Sequence, residues 1–342
     1  MSTKERTRDY LFDNYKALLI FLVVVGHFIE PATSNNIFFN GLKWIIVSFH
    51  MPAFIFISGY FSKRKLSISN LMQKLAIPYL VYEIIYYCLY TFILHKDTGL
   101  YLDYPKFTLW YLLALFVWRA ITPLFKKIPH YMLISIIAGL VIGCTSIKGN
   151  YLSIGRILFF YPYFLAGTNF KRESIARLRT FTWRVNSAVA AFIISILVLT
   201  GPLLFDYQAE IFYGRYNYDA LSQGALEGIL CRLACYAIGF ILTYLIMALI
   251  PERKTWYSYI GTRTMAIYLF HGLICASVKH VSSVLKHATS VEESIAVILI
   301  CIVLTLILSA PVFTRFTDAV TRISIPKIQS RLPQYRTLFT MR

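Results

Sequence analysis

Lys16 and His27 are the first residues of this 342-residue chain whose types and spacing could do chemistry. They share one apolar run, eleven residues apart, which in an α-helix is three turns to within about 20° and a rise of about 16 Å. Both therefore point along one helix face. His50 stands eight residues into the next apolar run, about 12 Å deep from the opposite end, so the two imidazoles approach similar depths from opposite directions. Glu83, Arg156, Arg232 and His271 lie within later apolar runs. Ionisable groups inside a membrane are costly, so they mark function or pair with one another. A neutral imidazole accepts a proton near physiological pH, and a guanidinium can hold developing negative charge on an oxygen. Each residue has a plainer reading as well. A histidine can bond a neighbouring helix, the arginines can snorkel to an interface, and Glu83 can neutralise one of them.

The elements that position these groups follow from composition. The chain is 58% hydrophobic and only 15% charged, and its mean hydropathy of +0.61 demands a lipid solvent. A secreted domain, a disordered regulator and a nucleic-acid-binding module are excluded. Ten apolar runs can cross a bilayer: Asn14–Glu30, Leu42–Phe61, Leu71–Leu94, Phe107–Phe125, Tyr131–Ile147, Tyr151–Phe170, Arg184–Phe205, Glu227–Ile250, Tyr257–Val278 and Ile295–Thr314. The expected fold is an all-α polytopic membrane helix bundle of about ten helices.

The formal charge of +18 reads as orientation rather than as nucleic-acid binding. Alternate connections hold 21 of the 34 Lys and Arg: Lys4 to Arg8, Lys63 to Lys65, Lys126 and Lys127, Lys171 to Arg184, Arg253 and Lys254, and Arg315 to Arg342. The intervening connections hold seven, Arg215 among them. Cytoplasmic loops carry such an excess, so an even number of spans places both termini in the cytoplasm. Residues 1–13 and 315–342 are then cytoplasmic tails around a membrane domain of residues 14–314. The N-terminal region has the charges and lacks the small-residue cleavage site that would argue for a removable signal peptide. The six cysteines fall in apolar runs without metal-ligand spacing, so neither disulfides nor a metal site is expected. The longest connection on the other face, Asp206 to Leu226, is rich in tyrosine, with Tyr213, Tyr216 and Tyr218, and can cap a substrate site.

The sequence Asp13-Asn14-Tyr15-Lys16-Ala17-Leu18, then Val25-Gly26-His27, then Phe49-His50-Met51-Pro52-Ala53-Phe54-Ile55-Phe56-Ile57-Ser58-Gly59-Tyr60 resembles the membrane-bound acyltransferase-3 family, and within it the fucose 4-O-acetylase-like branch. Lys16 and His27 meet that family's pattern of a basic residue ten positions before a histidine. Further similarity runs through Leu109 to Leu113, Arg156 to Pro162 with Gly167, and Ala266 to His271. Where many members have an arginine pair near the first cytoplasmic loop, this chain has Lys63-Arg64-Lys65 and then Lys74. It has no room for an appended extracellular domain.

The resemblance implies transfer of an acetyl group from acetyl-CoA to a hydroxyl of a carbohydrate or lipid-linked glycan precursor, in a bacterial cytoplasmic membrane. Such a reaction needs a base for the hydroxyl proton and a positive group for the carbonyl oxygen. His27 is the candidate base. His50 orients the acceptor or shares the proton, and Arg156 binds the acceptor or the oxyanion. Lys16, Lys74 and Arg119 suit the CoA end of the donor, while Glu83, Arg232 and His271 are candidate acceptor-binding residues. No GxSxG or activated cysteine offers a covalent nucleophile, which leaves direct transfer. The competing reading is a proton-coupled transporter or flippase of a lipid-linked sugar, since central His, Glu and Arg residues also describe carriers.

Overall fold

A computed structural model of the protein describes residues 8–147, 149–205 and 208–323. It is 76% helical, and no strand occurs among the described residues. Ten principal helices follow the ten apolar runs: α1 Tyr10–Ile29, α2 Ile37–Tyr60, α3 Ile68–Ile93, α4 Trp110–Phe125, α5 Tyr131–Val141, α6 Ile154–Asn169, α7 Phe181–Phe205, α8 Ala225–Leu249, α9 Thr264–Val281 and α10 Val291–Leu308. A further helix, α11, spans Pro311–Thr321 and lays Phe313 and Phe316 against Phe270 of α9. The expected tail from Arg315 therefore begins inside a helix. Its remainder from residue 324, the tail residues 1–7 with Lys4 and Arg6, and Lys148 and Asp206 lie outside the described residues.

Seven of the ten are long and apolar enough to cross a membrane. The three shorter ones are α4, α5 and α6, of 16, 11 and 16 residues, and local geometry trims two of them. α5 tightens into a 3-10 turn at Ile142–Cys144. α6 starts at Ile154 because Leu152 and Ser153 adopt left-handed φ values of 46° and 51°, which no α-helix accommodates. α2 begins five residues earlier than expected, at Ile37, where the Asn36 side chain accepts from the Phe39 amide at 3.0 Å and caps the helix. α3 departs from plain α geometry, with π-helical turns at Met72–Ala76 and Leu89–Ile93.

Cross-chain bonds divide the helix ends into two faces. On the face where α1 begins, Asn14 Nδ2 donates to the carbonyls of Pro251 and Arg253. There Arg172 pairs with Asp9 and Glu252, and Lys63 donates to the Phe170 carbonyl. On the far face, Lys279 pairs with Glu30, Lys43 with Glu210, and Asn217 donates to the Thr145 carbonyl. Among the described residues, the basic connections that contain Lys63, Arg172 and Arg253 meet on the first face.

Helices α2 and α6 approach closely through two glycines. A Cβ on Gly59 would collide with the Phe164 carbonyl, and one on Gly167 with the Phe56 carbonyl. Without an apolar driving force between helices in lipid, such small-residue contacts supply packing at short range. This crossing fixes α2, which carries His50, against α6, which carries Arg156.

Candidate active site

The helices enclose a cavity of about 300 Å³ that opens among the far-face connections. That volume is at the small end of ligand sites, about 300–1,000 Å³. Its lining joins Gly26 and His27 of α1, His50 and Met51 of α2, Trp110 of α4, Arg156 and Phe160 of α6, and Tyr268 of α9. The connections add Glu30, Phe107, Asn150, Glu210, Tyr213, Arg215 and Tyr216. His27 and His50 thus share one cavity with Arg156, which lies more than a hundred positions later in the chain.

The histidines differ in how they are held. His50 Nδ1 is 2.6 Å from the Ile46 carbonyl. A carbonyl only accepts, so Nδ1 carries the proton and the neutral ring keeps Nε2 as an acceptor. His27 has no hydrogen bond to either ring nitrogen among the described residues. Its ring is placed by packing instead, 4.9 Å from the Phe107 ring and 5.5 Å from the His271 ring. Phe107 takes a left-handed φ of 47°. That conformation is unfavourable for a bulky side chain and occurs where the surroundings impose it. Beside His27, a Cβ on Gly26 would sit in ordinary van der Waals contact with Ile46, at 3.5 Å.

Arg156 makes no ion pair among the described residues. Its guanidinium lies 4.9 Å from the Trp110 ring centroid, and Trp110 is in turn stacked on Phe160 at 5.6 Å. A cation over an indole face is held in place without a carboxylate that would quench it. Burial, with Glu30 and Glu210 nearby, pushes the Tyr213 hydroxyl above its ordinary range. Tyr213 therefore stays a neutral hydrogen-bond donor.

The other candidates lie outside this cavity. His271 is buried behind His27, with Nδ1 donating to the Ile267 carbonyl at 3.0 Å. Glu83 accepts from the Lys106 amide at 2.8 Å and approaches Lys106 Nζ at 3.7 Å, so its partner is a lysine rather than an arginine. Arg232 donates to the Gly139 and Tyr216 carbonyls, both at 2.8 Å, and pins the loop that bears Tyr213 and Tyr216. Lys16 pairs with the buried Asp13 at 3.1 Å on the opposite face. Lys74 and Arg119, on the contacting helices α3 and α4, form no ion pair among the described residues. Glu30, Trp110, Glu210 and Arg215 were not singled out as site residues by spacing. The tyrosine-rich connection was the one signal that pointed toward two of them, Glu210 and Arg215.

A family model described as an acyltransferase domain, of the acyltransferase-3 type, matches residues 9–314. No curated protein and no solved structure matches the chain. The matched segment contains every residue that lines the cavity.

Proposed function

The chain belongs to the acyltransferase-3 family and is a membrane acyltransferase, and on that premise we propose that it moves an acetyl group from acetyl-CoA to a hydroxyl of a carbohydrate or lipid-linked glycan precursor. The observation that carries this reading is the meeting of His27, His50 and Arg156 in one cavity. His27 takes the proton from the acceptor hydroxyl as its oxygen attacks the thioester carbonyl carbon. Arg156 holds the negative charge on the carbonyl oxygen. The new C–O bond stays, the C–S bond breaks, and the imidazolium returns its proton to the CoA thiolate. No net proton is consumed. His50, with Nε2 as an acceptor, orients the acceptor hydroxyl.

The donor carries its phosphates at one end and its thioester at the other. The basic face that holds Lys16, Lys74 and Arg119 suits the phosphate end, taken as cytoplasmic, and only the acyl end needs to reach His27. Opening of the cavity on the other face supports an acceptor presented from outside the cytoplasm. The fucose 4-O-acetylase-like branch is the closer assignment that the first two motifs favour.

The test is release of CoA from acetyl-CoA by the purified protein, with and without acceptor, in the wild type and in His27→Ala. General-base removal is expected to lower kcat by about 10²–10⁴-fold. Full retention of activity in a folded His27→Ala protein overturns the mechanism. Accumulation of a sugar in sealed vesicles without CoA consumption would replace it with a carrier.

A further inference from the structure

Four ionised side chains line the far-face half of the cavity besides the histidines, and their partners divide them into two classes. Glu30 is matched by Lys279 at 2.6 Å and Glu210 by Lys43 at 2.9 Å, so both carboxylates are neutralised from outside the cavity. Arg156 and Arg215 have no carboxylate partner among the described residues. Each lies instead on an aromatic face, Arg156 at 4.9 Å from the Trp110 centroid and Arg215 at 5.1 Å from that of Tyr216. The lining therefore keeps two uncompensated positive charges. In the mechanism above, Arg156 answers the oxyanion of the reacting carbonyl, which leaves Arg215 without an anion to answer.

Arg215 is not a loose surface cation. Gly214 before it adopts a left-handed φ of 61°, with the Phe159 ring filling the space a side chain would need. The carbonyl of Tyr216 after it is held by Arg232 at 2.8 Å, and Asn217 is tied to the Thr145 carbonyl at 3.1 Å. The loop is thus anchored on both sides of Arg215. A guanidinium offers five donors in a planar fork that matches a carboxylate or a phosphate, and Tyr213 and Tyr216 line the cavity beside it.

We infer that the acceptor is an anionic sugar, bearing a carboxylate or a phosphate close to the hydroxyl that receives the acyl group, and that Arg215 binds that anionic group. This rests on the transferase reading for the word acceptor, but the binding chemistry can be tested apart from it.

The experiment is titration calorimetry on the purified full-length protein in detergent at low salt, with glucuronate, glucose 1-phosphate and glucose as probes. At least one anionic sugar is expected to bind ten times more tightly than glucose, and added salt should shrink that ratio. The tighter of the two anions identifies carboxylate or phosphate as the natural group. Arg215→Gln is expected to bring the ratio within twofold. If that variant does not fold, Lys43→Gln, which leaves the Glu210 carboxylate unmatched in the cavity, should reduce the ratio in the same direction. Equal affinity for all three sugars in the wild type overturns the inference, as does an undiminished ratio in the folded variants. CoA release is measured on the same preparation. Its absence alongside an intact anion preference would refute the transferase reading and leave the anionic-sugar site standing.

Discussion

The imidazole of His27 lies 5.5 Å from that of His271, centre to centre, with the ring planes inclined by 34°. His271 donates through Nδ1 to the Ile267 carbonyl, so its Nε2 keeps a lone pair, and that buried atom has no hydrogen-bond partner. A buried acceptor left open costs free energy unless something employs it. When His27 takes a proton, the nearest imidazole is one already poised to accept. If His27 is the base proposed above, His271 is expected to act on the reaction through it, as a positioning residue.

A double-mutant cycle reads this relationship directly. His271→Phe is expected to lower kcat with little change in KM for acetyl-CoA, whereas in a His27→Ala background the same change should have almost no effect. A coupling of about 1–2 kcal/mol, a factor of roughly 5–30, fits residues in contact. Independent, multiplying losses would show that the two rings do not work together.

Activity should fall as the medium is acidified. A base works only in its neutral form, so kcat/KM declines as His27 becomes protonated. In His27→Ala the residual rate should lose that acid limb. Persistence of the limb would assign it to another group, with His50 the first to examine.

Arg156→Gln removes the cation from the Trp110 face while keeping a polar side chain. Loss of one oxyanion-stabilising donor costs about 10²–10³-fold in kcat, and the unfolding temperature should hardly change because Arg156 forms no ion pair among the described residues. Arg156→Lys is expected to restore little, since a lysine lacks the planar fork and stacks poorly. A fully active Arg156→Gln protein would move the oxyanion role elsewhere.

Gly167→Ala should destabilise the protein by about 1–3 kcal/mol through overpacking. The added methyl group would meet the Phe56 carbonyl, and helices α2 and α6 would have to separate. Because these two helices hold His50 and Arg156, the surviving folded fraction should also show reduced kcat. Thermal unfolding and single-turnover rates on one preparation check both halves.

Some of this was legible in the sequence and some was not. His27 and His50 were placed at one depth by helical rise alone, because an α-helix converts sequence distance into position along its axis. Arg156 was readable for the same reason. Arg215 and Glu210 were not, since their positions depend on how a long connection folds back, and no periodicity governs a loop. Glu83 looked like a partner for an arginine because depth says nothing about azimuth. The residue that meets it, Lys106, arrives from a connection 23 positions later. The all-α helix bundle followed from the apolar runs, but the lengths of α5 and α6 were set by turn geometry at Ile142 and Leu152 that hydropathy does not encode.

The π-helical turn at Met72–Ala76 bears on how α3 can change in length. A ring closed from i to i+5 holds one residue more than an α turn, so deleting Gln73 lets that turn revert to α geometry while both flanks stay in place. Deleting Val81 instead would swivel the chain beyond it by about 100° relative to the preceding turns, carrying Glu83 away from Lys106. One lost codon should therefore be nearly silent at the first place and ruinous eight residues later, which makes α3 a helix whose tolerance for indels is written in its hydrogen-bond ladder.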